Sequence, residues 1–417
     1  MEQMVQLSWL RPDYRHSALS LPHVQMESKK AGTRMRKSPV SRLFALLMLP
    51  VLLTGCWDRV EIQDRLFVLA AGIDKNVQKE QKRSYYEFTA QLVEPRALSG
   101  KVSLPNVSPV WNPTSSGPSI FECIRLMATR VARQPYYEHL QAIIIGEELA
   151  KEGIDRSLDL FYRDHESRRK IKLIIAKGKA KEALYVKPRL MPLPGRYISK
   201  LTEEGESKTA RLPATTSIGE FSRNFHNGEN SILPAIRVEQ NEVKMAGGAI
   251  MRGDRLIGWL SDHEIKTLRW INGTFSKGDE VIVKLTDADE RPSFITMEVK
   301  GARSTVKTSV ENGKPVITLL IRGEGNIAED GFGNKPTMEK IKKKEEQINH
   351  ALKQRVEKLI AMMQQKHGID IFGFGEEFRR FQYAYWKAHK HEWDALFKEA
   401  EIRIDVQTFI RRYGQFK

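Results

Sequence analysis

One cysteine and the residues leading to it carry most of the chemistry that this sequence offers. Arg36, Lys37 and Arg42 stand before an apolar run, Leu43–Leu53, which ends at Thr54-Gly55-Cys56. Cations, a short apolar core and a small-residue boundary are the parts of a secretory signal peptide. The run is too short to span a bilayer, which takes about 20 apolar residues, so it reads as a signal and not as an anchor. Other groups are weaker candidates. Asp262-His263-Glu264, and His389 and His391 with Glu392, bring imidazoles and carboxylates together. Neither set puts two ligands on one helical face or supplies a third, and surface helix ends account for both. Phe372-Gly373-Phe374-Gly375 has the look of a phosphate loop opening a helix at Glu376. It lacks a third glycine, follows no strand and leads into two glutamates that would repel phosphate. A tight turn pressing Phe372 and Phe374 into a core is the better account. No nucleophile elbow or zincin motif occurs, and nothing in the chain asks for catalysis.

The segment Leu53-Thr54-Gly55-Cys56 resembles the lipobox of bacterial lipoproteins, in which the cysteine thiol receives a diacylglycerol and the chain is cut just before it. The resemblance implies that Gly55-Cys56 is the cleaved bond and that Cys56 is the lipidated first residue of the mature chain. Residues 1–34 show no hydrophobic periodicity and sit awkwardly before the charged region; Met35 would start a compact signal by itself. The first 55 residues are therefore expected to be a signal peptide with an upstream extension.

Removing those 55 residues from 417 leaves 362, room for two or three domains of roughly 100 to 200 residues each. The whole chain has a formal charge of +16, and residues 1–55 carry eight Lys or Arg and three Asp or Glu, so +11 remains on the mature part. Such a surface suits anionic headgroups, at about 1 kcal/mol per cation held at the bilayer, or serves solubility alone. Nucleic acid is not an expected partner of an exported protein. The sequence has two cysteines. With Cys56 carrying lipid, Cys123 has no partner for a disulfide, and its place in an apolar helical pattern makes it a small buried hydrophobe.

Periodicity then supplies the elements. Leu66–Asp74 and Tyr85–Val93 are predicted strands, and 94–118, rich in Pro, Ser and Asn, is a predicted surface loop. Ser119 and Glu122 have capping-box spacing ahead of a helix. Strands at 140–146 and 171–177 alternate with helices, which predicts a layered α/β domain over 56–200. Prolines at 188–194 and the polar stretch 202–208 place a boundary near 200, followed by a small middle domain, 201–290, with a hairpin across 252–254 and a capped helix from Ser261. The C-terminal domain, 291–417, is expected to be α+β. It has strands around 295–299, a hairpin through Asn312-Gly313, a long helix from Met338 to His367 closed by Gly368, and a last strand over 401–412. Together these give an antiparallel sheet with one wet face, covered by helices on the other.

Taken in order, several segments resemble one family. Cys56-Trp57-Asp58-Arg59-Val60-Glu61-Ile62, the stretches 139–150 and 176–182, Gly247-Gly248-Ala249 with Gly258-Trp259-Leu260, and Asp370-Ile371-Phe372-Gly373-Phe374-Gly375 are similar to the Ger(x)C spore germination lipoproteins, the C subunits of germinant receptors. The likeness covers nearly all of 56–417, and residues 1–34 depart from it, in keeping with a start at Met35. It implies a lipid-anchored protein at the outer face of the inner membrane of an endospore, working with two multi-pass subunits, A and B, to start germination in response to nutrients. It also implies three domains of mixed α and β structure and no known catalytic residue; from the residues themselves no cofactor or metal is expected. Two other classes compete. A lipid-anchored solute-binding protein of an importer would share the signal but show two similar α/β lobes, and an anchored hydrolase would need a catalytic constellation.

Overall fold

The computed structural model describes residues 65–77, 84–94, 109–189, 191–274, 279–286, 292–331 and 337–413. The signal-like stretch, Gly55 and Cys56 lie outside the described residues. In chain order the first part contains β1 (Arg65–Val77), β2 (Ser84–Val93), β3 (Val110–Trp111), β4 (Thr114–Gly117), α1 (Ile120–Ala128), β5 (Gln134–Tyr136) and β6 (Ala142–Gly146). It continues with α2 (Glu147–Glu152), α3 (Asp155–Arg163), β7 (Lys172–Ala176), α4 (Ala180–Tyr185), α5 (Pro194–Lys208), α6 (Ile218–His226), β8 (Ser231–Glu239), β9 (Glu242–Arg252), β10 (Arg255–Leu260) and α7 (Asp262–Asn272). The second part contains β11 (Glu280–Thr286), β12 (Pro292–Glu311), β13 (Lys314–Asp330), α8 (Met338–Ala361) with a π turn over Met362–His367, α9 (Phe374–Phe381), α10 (Tyr383–His389), α11 (Trp393–Glu399) and β14 (Glu401–Arg412).

Ten strands form one mixed sheet in the order β10-β9-β8-β7-β6-β1-β2-β3, with β4 on β2 and β5 on β1. The isoleucine runs at its centre explain the layering. Ile143 and Ile145 of β6 face one core with Cys123 of α1, Leu158 of α3 and Phe221 of α6. Ile144 of β6 and Ile174 of β7 face another core with Ala183 and Leu184 of α4 and Ile198 of α5. Parallel strands buried on both faces need such continuous apolar runs, and each fully buried aliphatic side chain contributes about 2 kcal/mol.

The second sheet has the order β11-β12-β13-β14. Its first three strands run antiparallel, and β14 joins β13 in parallel, with Val316 opposite Glu401. That last pairing needs the helical crossover from α8 to α11, because a parallel partner cannot be reached by a tight turn. Ile348, Leu352, Val356 and Leu359 of α8 are buried against Ile295, Met297 and Ile317 of the sheet. The chain is thus mixed α/β in its first sheet and α+β in its second.

The topology adds three features to these expectations. The 94–118 stretch is not all loop, since β3 and β4 both pair with β2. The proline-rich stretch before 200 opens a helix: Pro194 sits at the first turn of α5, where its missing N–H costs nothing, and Ile198 is buried. The 201–290 segment is divided between the two sheets. Its strand β8 finds a parallel partner in β7, with Ile175 opposite Ala235, while β11 covers the edge of β12 with Val283 opposite Ile295. Unpaired strand edges are costly to leave open. Within this part, Gly247 has φ 74°, and a methyl group there would lie 2.0 Å from the Leu260 carbonyl oxygen. The backbone thereby bends where β9 meets β10.

A buried ion network ties α7 to the second sheet. Lys266 is buried; its Nζ donates to the Glu280 carbonyl at 2.6 Å and lies 2.8 Å from Glu280 Oε1 and 3.5 Å from Asp279 Oδ1. Arg211 Nη2 donates to the same Glu280 oxygen at 2.7 Å. Burial pushes the Glu280 carboxyl up, and the Lys266 and Arg211 hydrogen bonds more than reverse it, so it lies below the ordinary carboxylate range. Stability from that depression is fully present above the unfolded value and is lost as pH falls through the folded one. Asp279, pushed up by burial against the pull of Lys266, works in the opposite direction. Lys266→Met keeps the apolar stem and strands the carboxylates. It is expected to cost about 3 kcal/mol at neutral pH and to flatten the acid limb set by Glu280. Urea unfolding at several pH values checks both. A midpoint equal to the parent's would mean that the network does not stabilise the junction.

Candidate functional site

Gly55 and Cys56, the residues expected to carry the anchoring chemistry, precede the first described residue, Arg65, the start of β1. Among the described residues no helix is long and apolar enough to cross a membrane.

The glycine-rich turn is organised by Asp370. Its Oδ1 accepts hydrogen bonds from the Phe372 N–H at 2.9 Å and the Gly373 N–H at 3.1 Å, and its Oδ2 from the Gly375 N–H at 2.8 Å and Trp393 Nε1 at 3.0 Å. Burial pushes this carboxyl above its ordinary range, against the pull of the Gly375, Trp393 and Phe372 hydrogen bonds. The backbone N–H groups that a phosphate would need are already given to the chain's own carboxylate. Gly373, at φ 77°, caps α9, which starts at Phe374, two residues before the expected Glu376. Phe374 is fully buried and packs on Phe372 and Phe397 at ring distances of 5.1 and 6.3 Å. The turn is a structural clamp on the aromatic core.

The other candidates are also engaged locally. Glu264 closes the capping box of α7, accepting from the Ser261 N–H at 2.7 Å, while His263 is exposed. His389 stacks on Tyr385 at 4.4 Å, its Nδ1 lying 2.9 Å from the Tyr385 carbonyl oxygen, and His391 is exposed. Burial and then Glu122 push the Cys123 thiol up to about 11, and its Sγ lies 3.7 Å from the Tyr86 carbonyl oxygen. A thiol held neutral is not a nucleophile at physiological pH.

A cleft of about 1040 Å³ opens between the end of α6 and the Asp370 turn. Trp386 forms an aromatic wall, set edge-on to Trp393 at 5.3 Å. Arg379 reaches it already paired with Glu376 at 2.9 and 2.8 Å, and Asn230 Nδ2 donates to Asp394 Oδ1 at 3.5 Å. Its lining, among the described residues, has no serine, threonine or cysteine. The arrangement offers recognition of polar or aromatic groups. The sequence gives little sign of it, because α6 and the Asp370 turn are 144 positions apart by their numbers, 226 and 370. The aspartate followed by amide donors two, three and five residues on is the one local signal.

Comparison with known proteins follows this architecture. Residues 58–238 match the spore germination protein N-terminal domain, and residues 246–414 match the spore germination B3/GerAC-like C-terminal domain. Spore germination protein B3 of Bacillus subtilis (strain 168) is 28% identical over 384 residues, covering 90% of this chain and 98% of that one. Spore germination protein YndF of the same organism is 27% identical over 405 residues, covering 92% and 98%. Spore germination protein A3 is 24% identical over 379 residues, covering 89% and 98%. The crystal structure of the GerBC protein matches with a TM-score of 0.55 at 24% identity, over 82% of this chain and 98% of that one, a likeness of fold. The two domains occur here in succession across most of the chain, which therefore belongs to the Ger(x)C, or GerAC-like, family of spore germination proteins.

Proposed function

We propose that the chain is the lipid-anchored, non-catalytic C subunit of a nutrient germinant receptor. It is cleaved between Gly55 and Cys56, carries diacylglycerol on Cys56, and stands at the outer face of the spore inner membrane beside the multi-pass A and B subunits. The observation that carries this reading is the ordered match to both halves of a spore germination family, beginning at residue 58, two positions after the lipobox cysteine. The cleft and the turn around Asp370 support a recognition role, since the carboxylates of Glu264 and Asp370 hold a helix end and a turn. Translation from Met35 is expected to yield the same mature protein as translation from Met1, because every signal element lies after residue 34. Mass spectrometry of the anchored product should find modified Cys56 as its first residue in both cases. An N-terminus upstream of Cys56 would contradict the reading.

A further inference from the structure

The N-terminal ends of the central parallel strands carry a basic cleft of about 380 Å³. Arg168 and Lys170 come from the turn before β7, Lys172 from the start of β7, and Arg196 and Lys200 from α5. Lys172 is spoken for: its Nζ donates to the Ser199 carbonyl and hydroxyl at 3.0 and 2.9 Å and to Glu203 at 2.6 Å. Arg168, Lys170 and Arg196 are exposed. None of those three has a carboxylate within ion-pair distance among the described residues, and Lys200 is 3.8 Å from Glu204.

The register places this cleft at the end of the sheet where the chain arrives from its N-terminus. Ala70 of β1 is level with Ala142, and Ala142 with Lys172; the Gln141 N–H donates to the Leu69 carbonyl at 2.9 Å. Arg65 lies five residues back along β1, so it is about 20 Å from Lys172 at roughly 3.3 Å per residue and 4.8 Å per strand. Cys56 precedes Arg65 by nine residues, a tether of at most about 30 Å. The opposite end of β6 leads into Glu147, Glu148 and Glu152 of α2, which pair with Lys151 and Lys75. The exposed cations of the cleft thus stand at the end of the sheet where β1 begins.

We infer that this cleft seats the phosphate of an anionic phospholipid headgroup, so that the anchored protein stands on the bilayer with the N-terminal ends of β6 and β7 against it. The inference rests on the lipid-anchor reading for its geometry. Two guanidinium groups and two ammonium groups around one opening suit a phosphate, which arginine grips through paired N–H donors. A tether alone leaves orientation free; a headgroup site within its reach fixes which face meets the membrane and which meets partner subunits.

The test uses the mature chain from residue 56 with Cys56→Ser, so that no acyl chain holds it, sedimented with vesicles of phosphatidylcholine with or without phosphatidylglycerol. The triple variant Arg168→Gln, Lys170→Gln and Arg196→Gln is compared with a control that removes the same charge from the exposed side of α8, Lys342→Gln, Lys343→Gln and Lys358→Gln. All six positions are exposed, and unchanged circular dichroism and melting verify the fold. With three cations removed from an anionic surface, the cleft variant should bind anionic vesicles about 100-fold more weakly, which is about 3 kcal/mol. The control should change less than about 3-fold, since its charges act only through a screened field. Equal losses in the two variants, or equal binding to phosphatidylcholine alone, would overturn the inference. Because this protein carries no lipid, the result is independent of Cys56 modification, which the N-terminal mass decides separately.

Discussion

Cys56→Ala is expected to strip the chain of its hold on the spore membrane while leaving its fold unchanged. A diacylglyceryl thioether supplies two acyl chains at about 0.8 kcal/mol per buried methylene, and two chains hold a protein stably where one alone is marginal. The first described strand starts at Arg65, beyond the replacement, and the core clusters are built from residues after it. Any chain left on the membrane would be held by an uncleaved signal, by charge or by partner subunits, and the charge contribution weakens within about a Debye length as salt rises. Fractionation of spores at low and high salt should move most of the altered chain into the soluble or salt-extractable fraction, with a lost or strongly delayed response to nutrient. An altered chain of mature mass that resists salt extraction and supports normal germination would contradict the anchor.

Asp370→Ala is expected to have the largest effect on stability among the buried polar positions. It orphans four donors at once: the N–H groups of Phe372, Gly373 and Gly375 and the Trp393 indole. One unsatisfied buried donor costs about 1 to 3 kcal/mol. Water entering from the adjacent cleft would satisfy some of them, so the loss should be about 4 kcal/mol and not the full sum. Asp370→Asn keeps an acceptor for Phe372 and Gly373 but turns an amide donor toward Gly375 and Trp393, and should lose about half as much. Urea unfolding followed by tryptophan fluorescence reads both variants. A loss under about 1 kcal/mol for the alanine variant would show that the turn is held by its aromatic packing and not by the carboxylate.

What the sequence reveals and what it hides follow from the range of the interactions. Ser261 with Glu264 is legible because both halves of its capping box lie within one turn, and both hydrogen bonds form. The Asn312-Gly313 hairpin and the Ile348, Leu352, Val356 stripe of α8 are local in the same sense. Pro234 conceals β8, because a proline inside an apolar run argues against a strand; here it stands beside a register shift opposite Gly248. Pro194 hides α5 for a related reason, as it begins this helix instead of ending an element. The parallel pairing of β14 with β13 and the assignment of β8 and β11 to different sheets depend on partners far away in the chain, and periodicity carries no information on them. The proposed anchoring cysteine is the reverse case. A signal and lipobox form a linear pattern, so the expectation at Gly55 and Cys56 needs no fold, whereas the cations at 168, 170 and 196 come together only through the β6–β7 crossover and α5.

Capture of the tagged, lipidated protein from detergent-solubilised spore membranes asks directly whether this chain works as one subunit of a receptor complex. Two multi-pass membrane proteins, the A and B subunits, are expected to be recovered with it in a fixed ratio that survives washing with salt. Recovery of the chain alone, together with tight calorimetric binding of a single nutrient to it, would rule out the complex and favour a lipid-anchored solute-binding protein.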